Sequence, residues 1–202
     1  GFGIPGERCI ALPEWVGGRY SMWSAIGLPV ACAIGWEGFE QMLDGAREAD
    51  THLQSAPLEA NLPVLMALLG IWNTNFLGCG SHAVLPYSQR LADLPAYLQQ
   101  LEMESNGKRV DRNGKPLGCA TSPVLWGGAG TVGQHAYHQL LYQGTLTVPI
   151  DFIVPVGDDS PAQGMLIENA LAQSAALMQG RGEAQARAQL AAAGKPESEI
   201  SR

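Results

Sequence analysis

Residues 146–156, with the sequence LTVPIDFIVPV, carry the clearest strand pattern in this chain of 202 residues. Their β-branched and aromatic members are dense enough for a strand that is covered on both faces. These members are Val148, Ile150, Phe152, Ile153 and Val154. Residues 82–87 and 124–126 are predicted to be two further, shorter strands, and helical patterns at 91–105 and 134–142 separate the three. Strands that alternate with helices predict an α/β fold, with a mainly parallel sheet flanked by helices in three layers.

More helices are predicted on either side of this region. Ser21 is a good N-cap for a helix over residues 21–33, and residues 37–54 carry an apolar stripe that is predicted to be core. A helix over 62–76, which starts after Asn61, is apolar on nearly every side and is therefore predicted to be central. Two Ala- and Gln-rich helices are predicted to close the chain, at 161–179 and 183–193.

Charged residues are scarce and unevenly distributed. The chain has 12 Lys or Arg and 19 Asp or Glu, which gives a net charge of −7 and a charged fraction of 15%, against about 25% in an average soluble protein. Residues 60–89 and 116–150 contain no charged side chain at all but many polar ones, so we expect them to face protein or ligand. The acidic balance argues against nucleic-acid binding, because there is no basic patch to release phosphate counterions. Small molecules and protein are the expected partners.

The length fits one domain with a sizeable core. The longest apolar run, residues 62–72, is shorter than the roughly 20 residues that a membrane span needs, so no membrane association is expected. The chain starts without Met and without a secretory pattern, which predicts that it is cut from a longer protein. Residues 195–202 are predicted to be the start of a severed linker, and residues 1–202 a single incomplete domain.

The four cysteines are far apart in sequence and form no CxxC motif. They are Cys9, Cys32, Cys79 and Cys119. We expect reduced, mostly buried thiols in a cytoplasmic protein rather than disulfides. Two pairs have spacings seen in zinc sites, namely Cys79 with His82 and His135 with His138, but such pairs are common by chance and this core needs no metal. No metal is therefore expected.

The first candidate site is the segment Gly17-Gly18-Arg19-Tyr20-Ser21. Two glycines allow a ligand to approach the backbone closely, and Arg19 offers a planar group for an oxyanion. The helix predicted to begin at Ser21 would direct its N–H groups the same way. This pattern predicts anion binding at Gly18 and Arg19. A glycine turn with a surface arginine is the alternative.

The second candidate site surrounds Gln100 and Glu104, which are four residues apart and share a helix face. Glu104 lies in the predicted last turn, where the negative end of the helix dipole is expected to raise the pKa of its carboxyl. A more basic carboxylate is suited to taking a proton from carbon near neutral pH. The alternative is an exposed glutamate at a helix end, paired with Lys108.

The third candidate site is the glycine-rich segment 127–135. Its GxGxxG pattern lies between a strand and a helix, with Asp151 further on, and superficially resembles a dinucleotide fingerprint. The preceding strand is too short for that fold. The segment is predicted to place His135 in the first turn of a helix, where the dipole keeps an imidazole neutral and able to exchange a proton. His138, on the same face, is interpreted as a packed histidine.

Together these segments resemble the phosphoglucose isomerase family. The resemblance is carried by WVGGRYSMWSAIG at 15–27, APLE at 56–59, LLGIW at 68–72, MESNGK at 103–108 and GQHA at 133–136. Members of this family are more than twice as long and have two sugar-isomerase (SIS) domains with a Rossmann-like fold. The resemblance implies that this chain contains most of the second SIS domain.

The resemblance also implies roles for individual residues. Glu104 matches the base that moves a proton between C2 and C1 of glucose 6-phosphate and fructose 6-phosphate through a cis-enediolate. Arg19 matches the arginine that stabilises the enediolate, and Gln100 and Gly18 match substrate-binding positions. His135 matches the histidine that assists ring opening and reaches the site of the neighbouring subunit in a homodimer. No metal or nucleotide cofactor is implied.

The chain departs from the family pattern in three places. Val132 replaces a usual Asn, and neither the Ser/Thr-rich loop that binds the sugar phosphate nor a later lysine segment is present. We therefore expect these 202 residues alone to be inactive. Two alternatives remain open at this point: a non-catalytic SIS module that binds a sugar phosphate, and a dinucleotide oxidoreductase supported only by the GxGxxG pattern.

Overall fold

A computed structural model of the protein describes residues 3–157 and 160–200. The chain divides into two compact units, Gly1–Gly78 and Cys79–Arg202. That residues 1–202 form a single incomplete domain stays a prediction. Within the described ranges, no helix combines the length and the apolar character that crossing a membrane requires.

The first unit begins with short turns rather than with the predicted helix over 21–33. Three 3₁₀ turns, Gly6–Arg8, Gly18–Trp23 and Ala25–Gly27, precede helix α1 at Leu28–Ile34. Ser21 does not cap a helix, because its Oγ donates to the carbonyl of Gly18 at 2.7 Å. The extended backbone of Ser24 separates the last two turns. The predicted start of this helix was therefore wrong.

Helices α2 (Trp36–Ser55) and α3 (Leu62–Ile71) complete the first unit, and a π turn, Trp72–Phe76, follows α3. Asn61 caps α3 as predicted, since its Oδ1 accepts from the N–H of Val64 at 3.4 Å and its Nδ2 donates to the carbonyl of Leu53 at 2.8 Å.

The predicted burial of these two helices was wrong. Only Phe39 is buried in α2, and no residue of α3 is buried. Leu62 and Met66 are each 62% exposed. The described part of this unit lacks the layers that would cover an apolar helix on every side.

A three-stranded parallel sheet organises the second unit. The strands are β1 (Ser81–Pro86), β2 (Val124–Gly127) and β3 (Ile150–Ile153), in the order β2-β1-β3. In register, Ser81 lies opposite Val124 and Ala83 opposite Ile150. The sheet confirms the predicted α/β fold. β3 is shorter than the predicted 146–156 because Pro149 and Pro155, which cannot donate to a ladder, lie just outside it.

Helices follow and flank the strands. They are α4 (Leu94–Gln99), α5 (Gly130–Ala136), α6 (His138–Gln143), α7 (Pro161–Gln179), α8 (Glu183–Ala192) and α9 (Glu197–Ile200). The bounds of α7 agree with the prediction. The predicted helix over 134–142 instead starts at Gly130 and is interrupted at Tyr137. α9 lies inside the predicted linker 195–202, and the linker itself stays a prediction.

The core of the second unit is built on the central strand. Ala83, Leu85 and Tyr87 are fully buried and cluster with Ala170 of α7. Partly buried side chains surround this cluster, including Trp126, Tyr137, Ile150, Phe152 and Leu166.

The cysteines do not follow the prediction of mostly buried thiols. All four are free, but only Cys79 is buried, and Cys9, Cys32 and Cys119 are exposed.

Candidate active site

The second predicted site lies on a π turn. Residues Gln100–Glu104 continue α4 as a single π-helical turn. Such turns insert one extra residue into a helix and occur frequently at functional sites. The sequence predicted an ordinary helix over 91–105, because an inserted residue leaves no mark in a 3.6-residue pattern.

Two side chains anchor this turn to β2. Gln99 Nε2 donates to the carbonyl of Leu125 at 3.2 Å, and Met103 Sδ accepts from the N–H of the same residue at 3.3 Å. Gln99 and Met103 are half-buried, whereas Gln100 and Glu104, one position further along in each case, are exposed. The turn therefore presents Gln100 and Glu104 to its surroundings, in agreement with the predicted shared face. Sequence reasoning missed both anchors.

Lys108 closes the end of this helix. Its Nζ donates to the backbone carbonyl of Glu104. A cation that binds a carbonyl at a helix C-terminus satisfies a group that has no partner within the helix, and it also interacts favourably with the helix dipole. Lys108 thus contacts Glu104, as the alternative interpretation of this segment expected, and the acceptor is the backbone carbonyl of Glu104.

His135 lies in the last turn of α5 rather than in the first turn of a helix. The prediction failed because the helix starts at Gly130, five residues before His135. The positive end of the helix dipole is therefore not next to the His135 imidazole. The α5 helix has two unlike faces. Gly130 and Gly133 are buried on one, and the other exposes Thr131, Val132, His135 and Ala136.

The glycines of the GxGxxG pattern have a packing role. A Cβ at Gly130 would overlap the ring of Tyr87, and one at Gly133 would overlap the hydroxyl of Tyr137. Gly130 lets α5 lie directly against the buried Tyr87, and Gly133 leaves room for the half-buried Tyr137, which follows the helix. Asp151, which matched the acidic position of the fingerprint, lies on β3 with its Oδ2 3.0 Å from Nε2 of His82.

His138 is buried at the start of α6, with 4% of its surface exposed, as expected for a packed histidine. Its ring centroid lies 5.8 Å from that of Tyr137 and 5.9 Å from that of Tyr142. Burial lowers the pKa of His138 below its ordinary value, because it disfavours the charged imidazolium. Burial also raises the pKa of Tyr137.

Gly18 and Arg19 belong to the first unit, in the 3₁₀ turn Gly18–Trp23. Arg19 is half-buried, with its Cζ 6.0 Å from the ring centroid of Tyr20. A Cβ at Gly18 would meet nothing within 4 Å, so the backbone there is open to close approach. Because no α-helix starts at Ser21, the helix-dipole part of the predicted anion site was wrong. Anion binding at Gly18 and Arg19 stays a prediction.

A metal ion would be bound by a group of His, Cys, Asp or Glu side chains. Among residues 3–157 and 160–200, no three or more His, Cys, Asp or Glu side chains are grouped as they would be to hold a metal ion.

Comparison with known proteins identifies the family of this chain. The family model for phosphoglucose isomerase matches residues 1–201. The chain belongs to the phosphoglucose isomerase family. Glu104 and His135, which the sequence predicted to be site residues, lie within the matched range, the first on a π turn and the second on α5.

Relatives in the phosphoglucose isomerase family are similar over the whole chain. A glucose-6-phosphate isomerase from Aromatoleum aromaticum is 60% identical over 199 residues, which are 98% of this chain and 36% of the relative. One from Ectopseudomonas mendocina is 54% identical over 204 residues, which are 100% of this chain and 37% of the relative. The chain thus spans about a third of the length of these relatives.

Two solved structures have a similar fold, and one of them is a glucose-6-phosphate isomerase. A glucose-6-phosphate isomerase from Chlamydia trachomatis superposes with a TM-score of 0.77 at 42% identity, over 85% of this chain and 35% of that one. A hypothetical protein from Thermus thermophilus gives a TM-score of 0.66 at 32% identity, over 83% of this chain and 43% of that one.

Proposed function

We propose that this chain forms part of an aldose–ketose isomerase that interconverts glucose 6-phosphate and fructose 6-phosphate, a step of glycolysis and gluconeogenesis. The observation that carries the proposal is the exposed pair Gln100 and Glu104 on an anchored π turn, in a chain of the phosphoglucose isomerase family. The names of the relatives support the substrate. The protein is proposed to act in the cytoplasm.

Glu104 is proposed to be the base. Isomerisation requires one group that takes the proton from C2 and returns it to C1, and a carboxylate can do both without leaving the site. The exposed side chain of Glu104 can reach a bound sugar. The anchored turn limits how far its backbone can move. Gln100, on the same face, is proposed to bind the substrate.

Arg19 is proposed to stabilise the enediolate. Negative charge develops on oxygen as the C2 proton leaves, and a guanidinium held in place lowers the energy of that charge. Arg19 is half-buried, which restricts its motion, and the neighbouring Gly18 leaves room for the sugar. Gly18 is therefore proposed to be a substrate-binding position.

His135 is proposed to assist ring opening in the site of a second subunit. The side chain lies on the exposed face of α5, together with Val132, which is 69% exposed. The surrounding residues 116–150 carry no charge, which suits a face covered by protein. The proposed assembly is a homodimer in which each subunit supplies His135 to its neighbour.

An activity measurement on a full-length enzyme that carries these residues tests the proposal. Purified enzyme with glucose 6-phosphate, fructose 6-phosphate and two non-substrate controls, glucose and glucose 1-phosphate, should interconvert only the first two. Addition of a chelator should leave the rate unchanged. Absence of turnover in both directions would refute the proposed function.

A further inference from the structure

β2 is the terminal strand of the sheet that the structure describes, so one edge of its backbone has no neighbouring strand. Val124 donates to the carbonyl of Gly80 at 2.9 Å, toward β1. In a parallel ladder, successive residues direct their N–H and C=O groups to opposite sides. Leu125 therefore directs both of its backbone groups to the outer edge.

The backbone N–H and C=O of Leu125 need hydrogen-bond partners at this edge. The residue is only 6% exposed, so its backbone groups have little access to bulk water. Buried backbone groups in native proteins are almost always paired. Here the partners are the side chains of Gln99, which binds the carbonyl, and Met103, which accepts from the N–H.

The spacing of these anchors relates them to the proposed site. Gln99 immediately precedes Gln100, and Met103 immediately precedes Glu104, so one anchor lies just before the π turn Gln100–Glu104 and the other lies within it. A π turn departs from regular helix geometry, and its shape here is held by both contacts to a buried strand residue. Movement of either anchor would move the adjoining exposed side chain.

We propose that Gln99 and Met103 are positioning residues, which fix the π turn to the edge of β2 and so hold Glu104 in place for proton transfer. The inference rests on the proposed function, because it concerns the geometry of the proposed base. Misplacing a catalytic group by about 1 Å can cost on the order of 100-fold in rate. Loss of one anchor should therefore lower kcat without weakening substrate binding.

Three substitutions in the full-length enzyme separate this role from simple packing. Met103→Leu keeps the apolar volume and removes the sulfur acceptor, whereas Met103→Gln supplies an oxygen acceptor on a chain of similar length. Gln99→Met removes the donor. We expect kcat to fall on the order of tenfold in Gln99→Met and less in Met103→Leu, because a thioether is a weak acceptor. KM should stay within about twofold of wild type. Met103→Gln should keep most of the activity that Met103→Leu loses, because it still offers an acceptor.

A second measurement reports on the base itself. In D₂O, the C2 proton either reaches C1 or is lost to solvent, and the ratio of these outcomes depends on where the base sits. Fewer correctly folded molecules would lower both rates equally and leave the ratio unchanged. We expect the ratio to change in Gln99→Met and Met103→Leu. Met165→Leu and Gln139→Met, which alter exposed residues of α7 and α6, are the matched controls.

The outcomes are distinct. Lower kcat with an altered ratio, and recovery in Met103→Gln, would support the inference. An active wild type with unchanged kcat and ratio in both anchor variants would overturn it, as would higher activity with Leu than with Gln at position 103. An inactive wild type would refute the proposed function and this inference with it. If Met103→Leu fails to fold, Gln99→Met still decides.

Discussion

Glu104 and His135 share a local arrangement, since each is an exposed side chain beside buried or anchored neighbours. Glu104 follows the anchor Met103, and His135 lies two positions after the buried Gly133. Fixing the backbone while leaving the side chain accessible is a general way to pre-organise a reactive group. The motifs around these residues were evident from sequence, and what holds them was not.

The proposed role of Arg19 can be tested by a single substitution. Arg19→Lys in the full-length enzyme keeps the positive charge but loses the planar, forked donor group. We expect kcat to fall by roughly 100-fold, as when one group that stabilises transition-state charge is removed, with a smaller change in KM. Steady-state kinetics measure this, and Arg47→Lys, on the exposed surface of α2, is the control. Equal kinetics for Arg19→Lys and wild type would exclude Arg19 from charge stabilisation.

The α5 helix shows how glycines determine the position of an element. Gly130→Ala should destabilise the protein by about 1–3 kcal/mol, as overpacking does, because the new Cβ overlaps the Tyr87 ring. Gly128→Ala is the matched control, since its Cβ would meet nothing closer than the Tyr137 hydroxyl at 3.8 Å. Urea unfolding compares the two variants. Equal loss of stability in both would contradict the packing role.

His138, at the start of α6, makes stability depend on pH. Its pKa in the folded protein lies below the ordinary value of 6.5, so below about that pH the unfolded chain binds a proton that the folded chain does not. As the pH is lowered from about 6.5 to the pKa of the folded protein, the free energy of unfolding should decrease by up to about 1.4 kcal/mol per pH unit. His138→Gln should weaken this dependence between about pH 7.5 and pH 5.5 in urea unfolding. The same slope in variant and wild type would contradict the account.

Elements were predictable where one physical signal dominates. The pattern of Pro161–Gln179 and the buried run at Ser81–Pro86 each point to one structure. Prediction failed where the local pattern does not decide. The strand pattern of β3 continues past the prolines that limit the strand. Gly130 packs against Tyr87 and the anchors of the π turn bind Leu125, and both of these partners are distant in sequence.

The whole chain spans about a third of the length of its relatives, 36% of the one from Aromatoleum aromaticum and 37% of the one from Ectopseudomonas mendocina. The apolar α3 and the uncharged outer face of α5 were predicted to be covered. The described residues leave both exposed. An apolar or uncharged surface predicts burial, but it does not show which part of an assembly provides the cover.

Mixing two inactive full-length variants, Glu104→Gln and His135→Ala, tests the proposed homodimer. Each hybrid would contain one site with both residues intact, so about a quarter of wild-type activity should return when equal amounts exchange subunits freely. Native mass spectrometry confirms that hybrids form. Hybrids without activity would place His135 in the site of its own subunit.

Loss of the C2 proton tests the central claim most directly. Wild-type enzyme and Glu104→Gln, both full-length, are incubated with fructose 6-phosphate or C2-deuterated glucose 6-phosphate, and NMR follows the hydrogens at C1 and C2. Because the amide keeps the shape of the side chain but not its basicity, both isomerisation and exchange with solvent should fall at least about 1,000-fold. Glu102→Gln, on the same π turn, should retain both. Exchange that persists in Glu104→Gln at the wild-type rate would show that another residue is the base.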